Sequence, residues 1–272
     1  MTFVATIVPH SIIPALGLWL AIVLGYFLFN GSWKFKKFRF SVWHYYILML
    51  PLLAGLIISS WQAKSVKPLI LFIIFALAGV IGEALTDLWW QKFYVRGLWI
   101  YNVETVFRRF TSWLNFLPWA LGGLLYLNVA NRIVGDRIFP SILPIAMTLL
   151  VASVLLQIFL FNLLKPSASF KFHQARWFNL IVIYLPIVFT VGILARIFGP
   201  IIYELALWFA VVGTIAEYLF GKACHIFISK KLWDYTYWSV DSGHFTLLSI
   251  PLFCIGGFYF WIISIWVNQY LF

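Results

Sequence analysis

Of the eight acidic residues in this 272-residue chain, Glu83 and Glu217 lie inside long apolar stretches. Ionisable groups in such segments are costly and mark functional sites by default. Each could act as a general acid or as a proton or cation site. Each could also be a structural acceptor, tied to its following loop through Arg96, Lys230 or a tryptophan N–H. Asp87 lies four residues after Glu83, on the same helical face, and is the third candidate. At 1.5 Å per residue, the seven residues from Glu83 to Trp90 place the carboxyl roughly 10 Å inside the end of its helix.

Both acids belong to a repeated segment. Gly79–Tyr101 reads GVIGEALTDLWWQKFYVRGLWIY, and Gly213–Tyr235 reads GTIAEYLFGKACHIFISKKLWDY. Adding 134 to a position in the first copy gives its counterpart in the second without a gap, so Glu83 maps to Glu217 and Leu98, Trp99 and Tyr101 map to Leu232, Trp233 and Tyr235. The same offset carries Gly122-Gly123 onto Gly256-Gly257, a pair suited to close helix packing. Asp87 maps to Gly221. An interfacial aromatic belt accounts for most of the 15 tryptophans. Trp99, Tyr101, Trp233 and Tyr235 stand apart because they recur in register at a fixed distance from an acid. Electron-rich rings there suit a hydrophobic pocket and the stabilisation of a cation.

The elements that must position these residues are membrane helices. Hydrophobic residues make up 64% of the chain and charged residues 10%, well below the roughly 25% charged residues of a soluble domain. Apolar runs near 20 residues recur throughout, each enough to cross a hydrocarbon core about 30 Å thick. Helices are expected at 11–30, 41–60, 69–90, 113–130, 141–164, 178–198, 201–221 and 245–268. The expected fold is therefore an all-α integral membrane protein of about eight transmembrane helices. These divide into two tandem four-helix repeats of parallel topology, residues 1–134 and 135–272. Pro51, Pro118, Pro186 and Pro251 fall within the expected spans and read as kinks.

The net charge of +11 comes from Lys and Arg in short loops, a pattern of membrane orientation that argues against nucleic-acid binding. Fourteen of the nineteen basic residues fall in the odd-numbered loops, which are therefore expected to be cytoplasmic, with both termini outside. Residues 1–10 hold no Lys or Arg to begin a cleavable signal, so the first span is expected to remain as an anchor. The two cysteines, Cys224 and Cys254, form no CxxC motif. Cys224, His225, Asp234, Asp241 and His244 surround one loop but show no metal-ligand spacing, and neither a metal nor a cofactor is expected. A homo-oligomer or a membrane partner is compatible with the chain.

The segment Asp87–Asn102, containing Gly97-Leu-Trp-Ile-Tyr-Asn102 and followed by Leu117-Pro118, resembles the lycopene cyclase domain of bacteria, archaea and fungi. That family is a tandem duplication of membrane helices that cyclises linear carotenoids by acid catalysis through a carbocation. The resemblance implies an isoprenoid or carotenoid-like lipid substrate and places Asn102 among the substrate-binding residues. The family's Pro-Leu-Glu-Glu acids are absent, since Trp119-Ala120 follows Pro118 and Leu252-Phe253 follows Pro251. Leu232-Trp-Asp-Tyr235 is also similar to a loop in bacterial membrane proteins described as type IV ABC-transporter permeases. The leading expectation is a lipid-binding protein using Glu83, Glu217 and Asp87 as acids, as a lycopene cyclase-like cyclase or isomerase. The alternative is a proton- or cation-coupled transporter or permease.

Overall fold

The computed structural model describes residues 64–105, 110–135, 137, 139, 141–164, 176–228 and 230–271, with scattered positions from 46 to 61. The chain runs α1 (Lys67–Phe93), β1 (Trp99–Tyr101), a 3-10 turn (Trp113–Asn115), α2 (Phe116–Val134), α3 (Ile142–Leu163), α4 (Trp177–Phe198) and α5 (Ile201–Ile228). There follow β2 (Trp233–Tyr235), β3 (Ser239–Val240), β4 (Phe245–Thr246), a second 3-10 turn (Leu247–Ser249) and α6 (Ile250–Tyr270). The expected spans 11–30 and 41–60 lie outside the continuously described residues, and with them Pro51.

The molecule is mostly helical. Five helical segments, Lys67–Phe93, Ile142–Leu163, Leu180–Phe198, Ile201–His225 and Leu247–Tyr270, are long and apolar enough to cross a membrane. Their outer faces carry large exposed hydrophobics, such as Leu155 and Phe159 on α3, Val188 on α4, Leu207 on α5 and Leu85 on α1. A helix that is apolar all round has no face fit for water, and these faces suit lipid. The chain is therefore a multi-pass membrane protein.

Two expected helix starts differ from the fold for a local reason. The stretch at 113–130 begins with a 3-10 turn because Ser112, in extended backbone, accepts the Leu114 N–H on its Oγ, and the α-helix starts only at Phe116. The same device delays the last helix: Thr246 Oγ1 accepts the Leu248 N–H at 3.2 Å, and α6 starts at Ile250. A side-chain oxygen supplied there satisfies an N–H that the first helical turn leaves without a partner. Pro118 and Pro251 consequently sit in first turns, where no donor is needed, while among the described prolines of this set Pro186 is the one inside a helix. α5 continues to Ile228, past the expected end at 221.

Glycines and rings close the core. α1 packs on α2 and α5 on α6, with α2 also against α5 and α6. Gly79 lies against Trp119, and its counterpart Gly213 against Phe253, 134 residues further on. Gly123 faces Phe75 and Gly257 faces Phe209 at the same offset, whereas Gly122 and Gly256 open onto unfilled space. Only the second glycine of each pair is therefore a packing residue. Between the helices, Phe75–Phe260 meet edge to face at 5.3 Å and Tyr126–Phe209 at 5.5 Å, with Tyr126 stacked on Phe260 at 5.9 Å. Tyr126 and Phe260 are themselves counterparts, as are Phe75 and Phe209.

Candidate functional site

The two Leu-Trp-x-Tyr segments meet each other. β1 and β2 pair antiparallel, with Trp99 opposite Tyr235, Ile100 opposite Asp234 and Tyr101 opposite Trp233. Beyond the strands the ladder closes with Asn102 N–H to Leu232 O at 2.9 Å and Thr236 N–H to Leu98 O at 3.0 Å. These two bonds exchange places under the offset of 134. Alternation along a strand then directs Trp99 and Tyr101 to one face and Trp233 and Tyr235 likewise.

Glu83 is surrounded by donors. Thr111 Oγ1 donates to its Oε2 at 2.6 Å, Trp119 Nε1 to the same oxygen at 3.1 Å, and Asn115 Nδ2 to both oxygens at 3.0 Å. The Tyr101 hydroxyl donates to Oε1. All four donors are uncharged, and neither Glu83 nor Glu217 forms an ion pair among the described residues. Arg96 and Lys230 are therefore not their salt-bridge partners, and of the tethers expected from sequence, the tryptophan N–H alone is realised, through Trp119. Burial first, and then the charge of Glu83, hold the Tyr101 hydroxyl well above the ordinary phenol range, so it remains a donor.

Glu217 has the same position and fewer partners. Tyr235, the counterpart of Tyr101, donates its hydroxyl to Oε1. Burial and the charge of Glu217 likewise hold the Tyr235 hydroxyl far above the phenol range. The other three donors have no equivalent: Thr111, Asn115 and Trp119 map to Phe245, Ser249 and Phe253. The Ser249 hydroxyl donates instead to the Thr246 carbonyl at 2.9 Å. Glu217 Oε2 is buried without a hydrogen-bond partner, and so is Thr214 Oγ1, one turn earlier on the same helix.

The third acid does something different. Asp87 accepts the Leu98 N–H on Oδ1 and the Gln91 side chain on Oδ2, both at 2.9 Å, and thereby fastens the loop before β1 to α1. Gly97 passes so close that an added Cβ would lie 2.6 Å from Asp87 Oδ1. At the equivalent place in the second copy Gly221 leaves room for the Trp233 ring, which stacks on Phe220 at 6.2 Å. Trp99 meets Tyr235 edge to face at 6.3 Å. Asn102 reaches across the seam to Asp234 at 2.7 Å, and Lys231 holds the other oxygen of Asp234 at 2.7 Å.

Beside this centre, Lys222 pairs with Asp241 at 2.5 Å, which together with the Tyr218 hydroxyl holds Asp241 below the usual carboxylate range. His225 Nδ1 faces His244 Nε2 at 3.0 Å, and His244 Nδ1 lies 2.7 Å from the Asp241 carbonyl. A carbonyl only accepts, so that nitrogen of His244 carries the hydrogen. Among the described residues no three His, Cys, Asp or Glu side chains are arranged to hold a metal.

Sequence reasoning placed the acids and the paired aromatics. It missed Thr111, Asn115, Trp119 and Thr214. Asn115 and Trp119 are four residues apart at a helix start, a spacing that puts both on one face, but nothing in the sequence aims that face at Glu83. Comparison of the chain with protein-family models, curated proteins and solved structures finds no match.

Proposed function

We propose that this chain is a tandem duplication of a four-span membrane unit, residues 1–134 and 135–272, whose two copies share one polar centre that binds a hydrophobic, isoprenoid-like lipid and delivers a proton to it from a glutamic acid. The observation that carries this reading is the pair of buried carboxyls at the seam, held by hydroxyl and N–H donors and, among the described residues, by no cation. An ion-pair anchor would show a Lys or Arg at each acid. Neutral donors instead leave the carboxyls free of a counter-charge, as a proton donor to an uncharged ligand requires. The rings of Trp99, Tyr101, Trp233 and Tyr235 beside them suit a ligand that gains positive charge on protonation. The recurrence of contacts at one offset supports two copies of parallel topology related about an axis along the membrane normal. The Lys and Arg distribution supports odd-numbered loops on the cytoplasmic side. The resemblance of Gly97–Asn102 to lycopene cyclase domains points to the same chemistry. With the Pro-Leu-Glu-Glu acids absent, the glutamic acid that would carry it is one of the buried pair Glu83 and Glu217, while Asp87 fastens the loop.

A second reading, a proton- or cation-coupled transporter, draws on the same twin acids at the interface of two repeats, a common place for coupling sites. Mass spectrometry of lipids co-purifying in mild detergent separates the two. A stoichiometric non-bulk lipid in the wild type, lost from Glu83→Gln/Glu217→Gln, is the expected result. Bulk phospholipid alone, unchanged by the double variant, overturns the lipid-site reading, and proton-coupled flux in liposomes then tests the transporter.

A further inference from the structure

The two carboxyls are equivalent in sequence and unequal in surroundings, and this inequality has functional content. Glu83 receives hydrogen bonds from Tyr101, Thr111, Asn115 and Trp119. A carboxyl carries about four lone-pair sites, so this one is saturated. A ligand approaching it must first displace a packed donor. Glu217 keeps only the tyrosine, and its Oε2 is buried without a partner. Buried polar atoms left unpaired are uncommon in folded proteins, and each calls for a ligand, a water or a mechanistic reason.

Two neighbours shape what would fill the position. Thr214 Oγ1, three residues before Glu217 and so on the same face of α5, is also buried and unpaired. The Trp233 indole lies over Gly221, four residues after Glu217; its Nε1 is buried without a partner, as is that of its counterpart Trp99, so the indoles do not distinguish the two halves. At the matching places of the first copy, Asp87 occupies the site of Gly221 and is closed by Leu98 and Gln91. The carboxyl of one half is thus hydrogen-bonded from within the protein, and that of the other keeps a buried oxygen without a partner.

Resting on the lipid-site reading, we propose that the repeats have divided the work: Glu83 is a structural anchor, and Glu217 with Thr214 forms the single ligand-facing position, built to take a hydroxyl-bearing group. A hydroxyl suits these two unpaired atoms because it donates to the carboxyl oxygen and accepts from the threonine hydroxyl at once, which an alkyl chain or a metal ion does not do.

The test uses dicyclohexylcarbodiimide, an apolar reagent that adds to protonated carboxyls. The carboxyl proton moves to a carbodiimide nitrogen, its oxygen bonds the central carbon, and the adduct rearranges to a stable N-acylurea. Full-length protein, stripped of co-purifying lipid by extended detergent exchange, is treated, and peptides containing positions 83 and 217 are quantified by mass spectrometry. Labelling at Glu217 is expected to exceed that at Glu83 by about tenfold or more, since freeing Glu83 means breaking several buried hydrogen bonds. Restoring two missing donors with Ser249→Asn/Phe253→Trp is expected to cut labelling at 217 several-fold. Equal labelling of the two acids, preferential labelling of Glu83 or an inert Glu217 overturns the assignment. The wild-type ratio decides this even if the double variant does not fold. Because labelling needs no bound lipid, a reactive Glu217 in protein from which no non-bulk lipid co-purifies leaves the division of labour standing, while the co-purification result removes the lipid reading. A co-purifying lipid with equal labelling does the reverse.

Discussion

Glu83→Leu is expected to lower the stability of the folded protein by about 3–6 kcal/mol, while Glu217→Leu changes it by no more than about 1 kcal/mol. The difference comes from what each side chain leaves behind. Removing the Glu83 carboxyl takes the acceptor from four buried donors, Thr111, Asn115, Trp119 and Tyr101, and leaves Asn115 only its contact with the Tyr101 hydroxyl. A buried donor without an acceptor costs about 1–3 kcal/mol in soluble proteins, and intramembrane hydrogen bonds average nearer 0.6 kcal/mol, so four of them bracket the stated range. Leucine at 217 strands one hydroxyl, that of Tyr235, and removes an oxygen that has no partner of its own. Unfolding in a detergent–denaturant series measures both. Equal losses for the two variants would mean that the donors around Glu83 do not hold it as described.

Gly123→Ala and Gly257→Ala are each expected to destabilise by about 1–3 kcal/mol, and Gly122→Ala and Gly256→Ala to be neutral or stabilising by up to about 1 kcal/mol. A Cβ on Gly123 would lie 2.6 Å from the Phe75 ring and 2.7 Å from its Cβ. On Gly257 it would meet the Cβ of Phe209 at 2.5 Å. These are the roots of packed aromatics, which cannot swing aside as the tip of a flexible chain can. A Cβ on Gly122 or Gly256 meets nothing within 4 Å and gains the ordinary helix preference of alanine over glycine. The rings displaced at the two harmful sites belong to one run of contacts, Phe75–Phe260–Tyr126–Phe209, so the double variant is expected to depart from additivity. Thermal unfolding of the four single variants and the Gly123/Gly257 double variant checks the set.

Much of this was legible because the chain repeats. The ungapped offset singled out Glu83, Glu217 and the paired Trp and Tyr residues before any fold was known. Apolar run length located the helices that become α1, α3 and α4 within a few residues. What stayed hidden depends on distance in space. The pairing of Trp99 with Tyr235 joins residues far apart in the chain, and a three-residue strand has no periodicity to betray it. The donors to Glu83 sit on a different helix from the acid, and Thr111 lies in irregular chain. Asp87, grouped with the acids by helical spacing, is drawn off by the Leu98 N–H of the following loop. The late starts of α2 and α6 follow from Ser112 and Thr246, cap residues that a hydropathy reading passes over. The divergence of the copies was present in the sequence as Thr111, Asn115 and Trp119 against Phe245, Ser249 and Phe253. Its meaning required knowing what those side chains touch.

Everything proposed about the shared centre depends on the two loops meeting, and a cross-link tests that most directly. Ile100 and Asp234 are opposite one another in the β1–β2 ladder, at the spacing of directly paired antiparallel residues, which a disulfide spans. Ile100→Cys/Asp234→Cys, in a background with Cys224 and Cys254 replaced, is oxidised in native membranes and its peptides are mapped. The account predicts an intramolecular 100–234 disulfide in most of the protein. Absence of the cross-link under oxidising conditions, or its appearance only between separate chains, would mean that Glu83 and Glu217 do not share one centre within a single chain.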